Sequence, residues 1–109
     1  MGTIERQIVD EINRRLPDDV RQHLRQWILF GSRARGDALE DSDLDLIALV
    51  DDKTPELEDA IDSIAYNVMW DHDFRPTISI KVFAEERFQS AIAKGYSFYR
   101  NVMREGVVL

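Results

Sequence analysis

The chain has 109 residues, of which 44% are hydrophobic, and it carries a formal net charge of −7 at pH 7. It contains no cysteine, which excludes disulfides and thiolate metal sites. The acidic balance argues against nucleic-acid binding over a broad basic surface, and no apolar run approaches the roughly 20 residues of a membrane span. We therefore expect a single domain over residues 1–109 that is cytoplasmic and has neither a membrane nor a direct nucleic-acid partner.

The first part of the chain predicts one long helix and one short helix. Apolar residues recur over residues 3–16 with the spacing of one helical face, and Pro17 ends the pattern. Asp18 and Asp19 are typical of the start of a second, short helix. The predicted apolar face consists of Ile4, Ile8, Val9, Ile12 and Leu16.

Two strand-like runs follow, on either side of a polar segment. Residues 26–31 are apolar on both faces, which predicts a central strand. Gly31-Ser32 then forms a tight turn, and the ten residues 33–42 separate it from Asp43-Leu44-Asp45. The second strand is predicted over residues 44–50 and therefore opens with two carboxylates.

The spacing of Asp43 and Asp45 indicates a cation site. Residues two apart on a strand point to the same face, so the two carboxylates should lie side by side. They repel each other unless a cation lies between them, and hard oxygen ligands of this kind suit Mg²⁺, which also takes substrate phosphates as ligands. The turn at Gly31 and Ser32 offers backbone N–H groups and a hydroxyl to a polyphosphate. Together these residues predict a site for ATP or another nucleoside triphosphate with its metal.

Arg33 and Arg35 follow the glycine turn and have two interpretations. A guanidinium grips phosphate with two parallel hydrogen bonds, so both arginines are candidate nucleotide-binding residues. They could equally neutralise the acidic stretch that comes next, which includes Asp37 and Glu40 and is expected to be largely a solvated loop. Gly36 is expected to serve the geometry of a turn.

The second half of the chain predicts a helix, a strand and two further helices. Thr54-Pro55 is typical of a helix start, and helical spacing of apolar residues continues to about Trp70. Residues 77–83 alternate between apolar and polar, which predicts a strand with Ile78, Ile80 and Val82 toward the core and Thr77, Ser79, Lys81 and Phe83 toward an open face. Helices are predicted over 84–94 and 97–105. The fold class is thus α/β (α+β): a small mixed sheet with helices on one face and the other face open as a cleft.

The motif itself resembles that of a known family. Gly31-Ser32, the ten-residue gap and Asp43-x-Asp45 resemble the signature of the DNA polymerase beta-like nucleotidyltransferase superfamily. The extended sequence Gly-Ser-Arg-Ala-Arg-Gly-Asp at 31–37, with Ser42-Asp43-Leu44-Asp45-Leu46, is similar to its small prokaryotic branch, the minimal nucleotidyltransferases. The resemblance implies a nucleotidyltransferase fold and a Mg²⁺-dependent transfer of AMP from ATP, with Asp43 and Asp45 as catalytic metal ligands. It also implies a partner, because such proteins are often paired with a small helical protein of the HEPN type in toxin–antitoxin systems.

One expected carboxylate is missing from this chain. In the family, a third carboxylate on a neighbouring strand completes a site for two metal ions, of which one activates the acceptor hydroxyl. The open face of strand 77–83 carries Ser79 and Lys81 instead, so a lysine supplies positive charge where a metal would be. Asp71, Asp73, Glu85 and Glu86 flank the strand and are alternative sources of the acid. Two interpretations stay open: an active enzyme, or a degenerate domain that binds a nucleotide or a partner.

Two other functions compete with this interpretation. Asp41-x-Asp43-x-Asp45 resembles the start of an EF-hand calcium loop, but Leu46 stands where that loop needs glycine, so calcium is disfavoured. The chain could instead be an acidic protein-binding domain. If another chain contributes the acceptor site, the aromatic cluster Tyr96, Phe98 and Tyr99 could form part of that interface, although core packing of at least two of these rings is the alternative.

Overall fold

The computed structural model describes residues 3–38 and 42–109, with the side chain of Thr3 excepted. Glu40 of the predicted acidic loop and Asp41 of the disfavoured calcium loop lie outside the described residues. The helices and strands, in chain order, are α1 Thr3–Arg15, α2 Asp18–Arg21, β1 Leu24–Phe30, α3 Ser32–Arg35, β2 Leu44–Val50, α4 Pro55–Asp71, β3 Ile78–Ala84, α5 Glu85–Ala93, α6 Ser97–Glu105 and β4 Val107–Val108.

The strands form one mixed sheet in the order β3-β2-β1-β4. Strands β1 and β2 are antiparallel, β2 and β3 are parallel, and the short β4 pairs antiparallel with β1. β2 is central and buried on both faces, and Asp45 is the one residue of this strand that keeps partial exposure. The parallel pair requires a crossover, which α4 provides. Because β3 has a neighbour on one side only, it forms an edge of the sheet.

The first face of the sheet packs against α1 and α4. Thr54 begins α4 as predicted, since its hydroxyl accepts a hydrogen bond from the Leu57 N–H at 3.1 Å and Pro55 follows at the first helical position. The side chains of this core come from both helices and from alternate strand positions: Ile8, Val9, Ile12, Leu16, Trp27, Leu29, Leu44, Leu46, Ala48, Val50, Leu57, Ile61, Ala65, Val68, Ile78 and Val82. Ile78 and Val82 thus face the core as the alternation predicted.

The second face is covered over part of its length. Helices α5 and α6 bring Phe88 and Val102 onto Ile28, Ile47 and Leu49. The sequence predicted an open second face, and Phe83 was expected to lie on it. Phe83 does lie on this face, but the expectation that the face is open there was wrong, because its ring packs against Phe88, Tyr99 and Phe98. The end of this face at Asp45 and Ser79 is not covered by the second core.

The structure confirms the fold class, a small mixed sheet with helices packed on it. It adds two elements that the sequence did not predict, the single-turn helix α3 and the two-residue strand β4. In the aromatic cluster, Phe98 and Tyr99 pack against other rings, whereas Tyr96 is 57% exposed. None of the helices in the described part of the chain is long and apolar enough to cross a membrane.

Candidate functional site

Gly31 joins β1 to α3 and lies directly against a predicted metal ligand. Its φ of 76° and ψ of −159° fall in a region that is populated essentially by glycine. A Cβ atom built on Gly31 would stand 2.5 Å from Oδ2 of Asp45, closer than Cβ atoms in folded proteins come to a non-bonded atom. The glycine is therefore required twice, once by the backbone conformation and once by the space that the Asp45 carboxylate occupies.

The two carboxylates lie at the beginning of β2, as predicted. Asp45 pairs with Phe30 of β1 on one side and with Ser79 of β3 on the other. Asp43 precedes the strand and is exposed. Burial raises the pKa of the Asp45 carboxyl, the Asp43 carboxylate raises it further, and the positive charges of Lys81 and Arg35 oppose the shift. The Asp43 carboxylate, two residues before Asp45, therefore opposes ionisation of the Asp45 carboxyl.

Ser32 is the first residue of α3 and borders the same space. Its carbonyl accepts hydrogen bonds from the N–H groups of Gly36 and Asp37, at 3.0 and 3.2 Å, which close the single turn. Gly36 ends the turn with a left-handed φ of 83°, in agreement with its predicted role in turn geometry. Within the described residues, no hydrogen bond uses the Ser32 hydroxyl, so this group can serve a ligand.

The Arg33 side chain is buried under the Gly31-Ser32 turn and is bound by other residues of the chain. Its Nε and one terminal nitrogen donate to the carbonyl oxygen of Ser42 at 3.1 and 2.9 Å, and the other terminal nitrogen lies 3.8 Å from Oε1 of Glu5. The Arg33 and Glu5 side chains are only 8% and 9% exposed. These contacts tie the residue immediately before Asp43 to α3 and α1.

Glu5 is a residue of this site that the sequence analysis missed. It is the one buried charged or polar residue found among the described positions, and its second carboxylate oxygen is buried without a hydrogen-bond partner there. A signal was present in the sequence: residues 5, 9, 12 and 16 share one helical face, and three of the four are apolar. An acid on an otherwise buried face indicates a buried cationic partner.

Arg35 is placed differently from Arg33. Its side chain is 45% exposed and lies 3.4 Å from a carboxylate oxygen of Asp37 and 3.8 Å from one of Glu105. It also acts electrostatically on Asp45, as noted above. Arg35 is thus an accessible cation beside the carboxylates, whereas Arg33 is an internal one.

The third carboxylate is not found next to Asp45 in the described part of the chain. Ser79 and Lys81 occupy the neighbouring positions of β3 and are both exposed. Among the alternatives, Asp71 is paired with Arg15 of α1. Glu85 and Glu86 open α5 at the other end of β3, six and seven residues beyond Ser79 or about 20 Å at the rise of a strand. Asp73 lies in the turn after α4 with a φ of 55°.

The metal-ligand chemistry fits one hard cation better than a complete cluster. Asp43 and Asp45 offer oxygen ligands at the beginning of β2, where burial and, after it, the Asp43 carboxylate raise the pKa of the Asp45 carboxyl. The described residues contain no group of three or more histidine, cysteine, aspartate or glutamate side chains with metal-site geometry. Two carboxylates and substrate phosphates are the usual ligands of Mg²⁺ in sites that bind a metal with a nucleotide.

Comparison with known proteins agrees with this geometry. A family model described as a nucleotidyltransferase domain matches residues 6–105. A protein of Methanocaldococcus jannaschii, provisionally named a protein adenylyltransferase, is 33% identical over 105 residues, which are 96% of this chain and 97% of the relative. A crystal structure of a toxin–antitoxin with AMP-PNP contains a chain with the same fold, with a TM-score of 0.62 and 20% identity, over 95% of this chain and 70% of that one.

Proposed function

The chain belongs to the nucleotidyltransferase domain family, in its minimal branch, and we propose that it transfers AMP from ATP to a hydroxyl group of a protein. The observation that carries the proposal is the fit between Gly31 and Asp45. A glycine turn packed against a carboxylate, with no room for a Cβ, brings a phosphate-binding turn and a metal ligand together. ATP and a protein acceptor are suggested by the name of the archaeal relative.

Different residues of the chain would bind the metal ion and the phosphates. Asp43 and Asp45 would hold Mg²⁺, which supplies charge neutralisation for the triphosphate when bound. The backbone N–H groups of the Gly31-Ser32 turn and the Ser32 hydroxyl bind phosphate oxygens and orient the chain of phosphates.

Both arginines are proposed to support nucleotide binding, Arg35 by direct contact with phosphate and Arg33 indirectly. Arg35 is exposed beside the carboxylates and contacts phosphate directly. Arg33 acts indirectly, because its hydrogen bonds to the Ser42 carbonyl fix the position of Asp43 relative to the Gly31-Ser32 turn. A direct phosphate contact by Arg33 would require its guanidinium to leave these partners.

We further propose that the protein works with a small helical partner of the HEPN type, as the antitoxin of a toxin–antitoxin pair. The support is the family resemblance and the fold shared with a chain of a toxin–antitoxin structure. In this arrangement the partner provides the acceptor hydroxyl, and adenylylation of the partner is the antitoxin activity.

A second candidate function is favoured by the residues on β3. Because Ser79 and Lys81 stand where a third carboxylate would complete a two-metal site, the domain could bind a nucleotide or a partner without turnover. This degenerate function predicts the same nucleotide binding and no transfer.

The test is Mg²⁺-dependent ATP binding by calorimetry, followed by assay of AMP transfer from labelled ATP. Asp43→Asn should abolish the Mg²⁺-dependent part of binding. The matched control is Asp52→Asn, which removes an exposed carboxylate beyond the other end of β2 and should bind like the parent. Absence of Mg²⁺-dependent binding by the parent would refute both candidate functions, and binding without transfer or pyrophosphate release would select the degenerate one.

A further inference from the structure

Lys81 occupies a special position relative to Asp45. In the parallel register of β2 and β3, Asp45 pairs with Ser79, and Ile47 pairs with Lys81. Alternate residues share a face, so Ser79 and Lys81 lie on the face that carries Asp45. Ser79 pairs directly with Asp45, and Lys81 lies two residues further along β3, about 7 Å at the rise of a strand. The ammonium group is therefore within electrostatic reach of the metal ligand.

The Lys81 side chain is available for a ligand. It is exposed, and within the described residues it forms no ion pair with a carboxylate. Arg35, the other cation that acts on Asp45, lies on the opposite side of the site and already has Asp37 and Glu105 as neighbours. The two cations thus flank the carboxylates, one beside the glycine turn and one on the edge strand of the sheet.

The same strand positions do not fit a second metal ion. A second divalent cation beside Asp45 would need an acid at Ser79 or Lys81, and the lysine would repel it. The acids that flank β3 do not replace this ligand. Asp71 is paired with Arg15, Glu85 and Glu86 lie at the far end of the strand, and among the described residues no group of three acids, Asp73 included, has metal-site geometry.

We propose that the site takes a single divalent cation, held by Asp43 and Asp45, and that the Lys81 ammonium supplies the positive charge on the acceptor side. This inference rests on the proposed nucleotidyl transfer and deepens it. In the reaction, the acceptor oxygen forms a bond to the α-phosphorus and its proton passes to solvent. The bond from the α-phosphorus to the bridging oxygen breaks, and pyrophosphate leaves with that electron pair.

The role of Lys81 follows from this charge distribution. Negative charge develops on the α-phosphate oxygens as the acceptor approaches, and an ammonium N–H can donate a charge-assisted hydrogen bond to one of them. A lysine needs no acid to hold it in place, whereas a second metal ion does. Lys81 is thus a catalytic residue that replaces an ion, and the missing third carboxylate is a consequence of this replacement.

The first test counts metal ions and does not depend on turnover. Mn²⁺ binding is titrated by electron paramagnetic resonance, with the metal alone and with a non-hydrolysable ATP analogue. The parent with the analogue bound should hold one Mn²⁺ per chain in total, the ion that Asp43, Asp45 and the triphosphate share. Lys81→Asp should gain a second, spin-coupled Mn²⁺, because it adds a carboxylate and removes the repelling charge. Two coupled ions in the parent would overturn the proposal, as would a Lys81→Asp variant whose count is unchanged.

The second test measures pyrophosphate release from ATP with water as the acceptor. Lys81→Ala should lower the rate about a hundredfold, the usual effect of removing one donor to developing charge, with little change in Mg²⁺–ATP affinity. Lys81→Arg should restore part of the rate. The matched control is Lys53→Ala, since Lys53 is an exposed lysine beyond the other end of β2, paired with Glu58 at 3.2 Å.

The outcomes separate the two proposals. A Lys81→Ala variant as fast as the parent would overturn the role of Lys81 and leave nucleotidyl transfer standing. A parent that neither binds Mn²⁺ nor ATP would overturn both. A parent that binds one Mn²⁺ with the nucleotide and releases no pyrophosphate, either with water or with a helical partner as the acceptor, would refute the catalytic role of Lys81 in favour of the degenerate domain.

Discussion

Replacement of Gly31 by alanine tests the packing on which the site depends. The new Cβ would stand 2.5 Å from Oδ2, 3.4 Å from Cγ and 3.5 Å from Cβ of Asp45. The first distance is impossible, so the Asp45 carboxylate must rotate away or the turn must shift. The backbone adds a second cost, because an alanine at φ 76° and ψ −159° is strained by about 1–3 kcal/mol.

The expected loss of stability is therefore about 1–3 kcal/mol from strain, plus the cost of moving Asp45. For a domain of this size, each kcal/mol lowers Tm by roughly 4–8 °C. Urea unfolding and thermal melts of Gly31→Ala in metal-free buffer measure the loss, and calorimetry with Mg²⁺ and ATP should show that binding is abolished. Gly36→Ala is the matched control, because Gly36 also has a positive φ but its Cβ would meet none of the described residues within 4 Å. It should lose stability through strain alone and keep nucleotide affinity.

A double-mutant cycle with Asp45→Ala isolates the contact. Without the carboxylate, the 2.5 Å and 3.4 Å contacts disappear and an ordinary contact to the Asp45 Cβ remains. Gly31→Ala should then cost less stability in the Asp45→Ala background than in the parent, and the difference is the energy of the clash. Equal costs in the two backgrounds would refute the claim that the glycine makes room for the carboxylate.

Three further predictions follow from the site and from one surface carboxyl. Asp45→Ala should be as stable as the parent or more so in metal-free buffer, because the cost of burying the carboxylate and its repulsion by Asp43 are removed. Mg²⁺ with ATP should raise the Tm of the parent but not that of the variant. A clear loss of stability in metal-free buffer would indicate a structural role for Asp45. Arg33→Met should lose about 1.5–3 kcal/mol of unfolding free energy, since it removes hydrogen bonds from a charged group to the Ser42 carbonyl. Arg35→Gln should change the unfolding free energy by less than about 0.5 kcal/mol and weaken ATP binding. The reverse pattern would contradict the roles assigned to the two arginines. Burial and two neighbouring carboxylates raise the pKa of Asp62, so Asp62→Asn should stabilise the protein at neutral pH. This gain in unfolding free energy should fade as the pH falls toward about 3.9, the usual pKa of an aspartate. A gain that is constant with pH in urea titrations would show that charge is not its cause.

The elements that were predicted well are those with a long periodic pattern. Residues 44–50 were predicted and observed as a strand, and the helix that starts at Pro55 was predicted to within one residue of its end. The elements that were missed are short. Strand β4 has two residues and forms because Val107 and Val108 meet β1, a contact between positions almost eighty residues apart that local pattern does not reveal. Helix α3 is a single turn closed by hydrogen bonds to Gly31 and Ser32.

The candidate site was predictable where it depends on strand periodicity and not where it depends on tertiary packing. The spacing of Asp43 and Asp45 predicted two neighbouring carboxylates, which the electrostatics of Asp45 support. The sequence could not distinguish Arg33 from Arg35, because the distinction comes from α1, whose Glu5 lies against Arg33 alone. That α5 and α6 cover Phe83 while Lys81 stays exposed likewise depends on how far these helices extend along the sheet.

The site is built unevenly on its two sides, and this asymmetry bears on specificity. On the side of Asp45 that faces β1, the turn at Gly31 is held by its own hydrogen bonds, and α3 is tied to β2 through Arg33. On the other side, among the described residues, stand Ser79 and Lys81, exposed on a strand at the edge of the sheet. The fixed turn on the β1 side favours precise binding of one ligand, the nucleotide. The exposed strand β3 on the other side provides few contacts that could discriminate between acceptors. We therefore expect nucleotide selection to be encoded in these residues, and acceptor selection to be provided mainly by the surface of the acceptor protein that docks over β3.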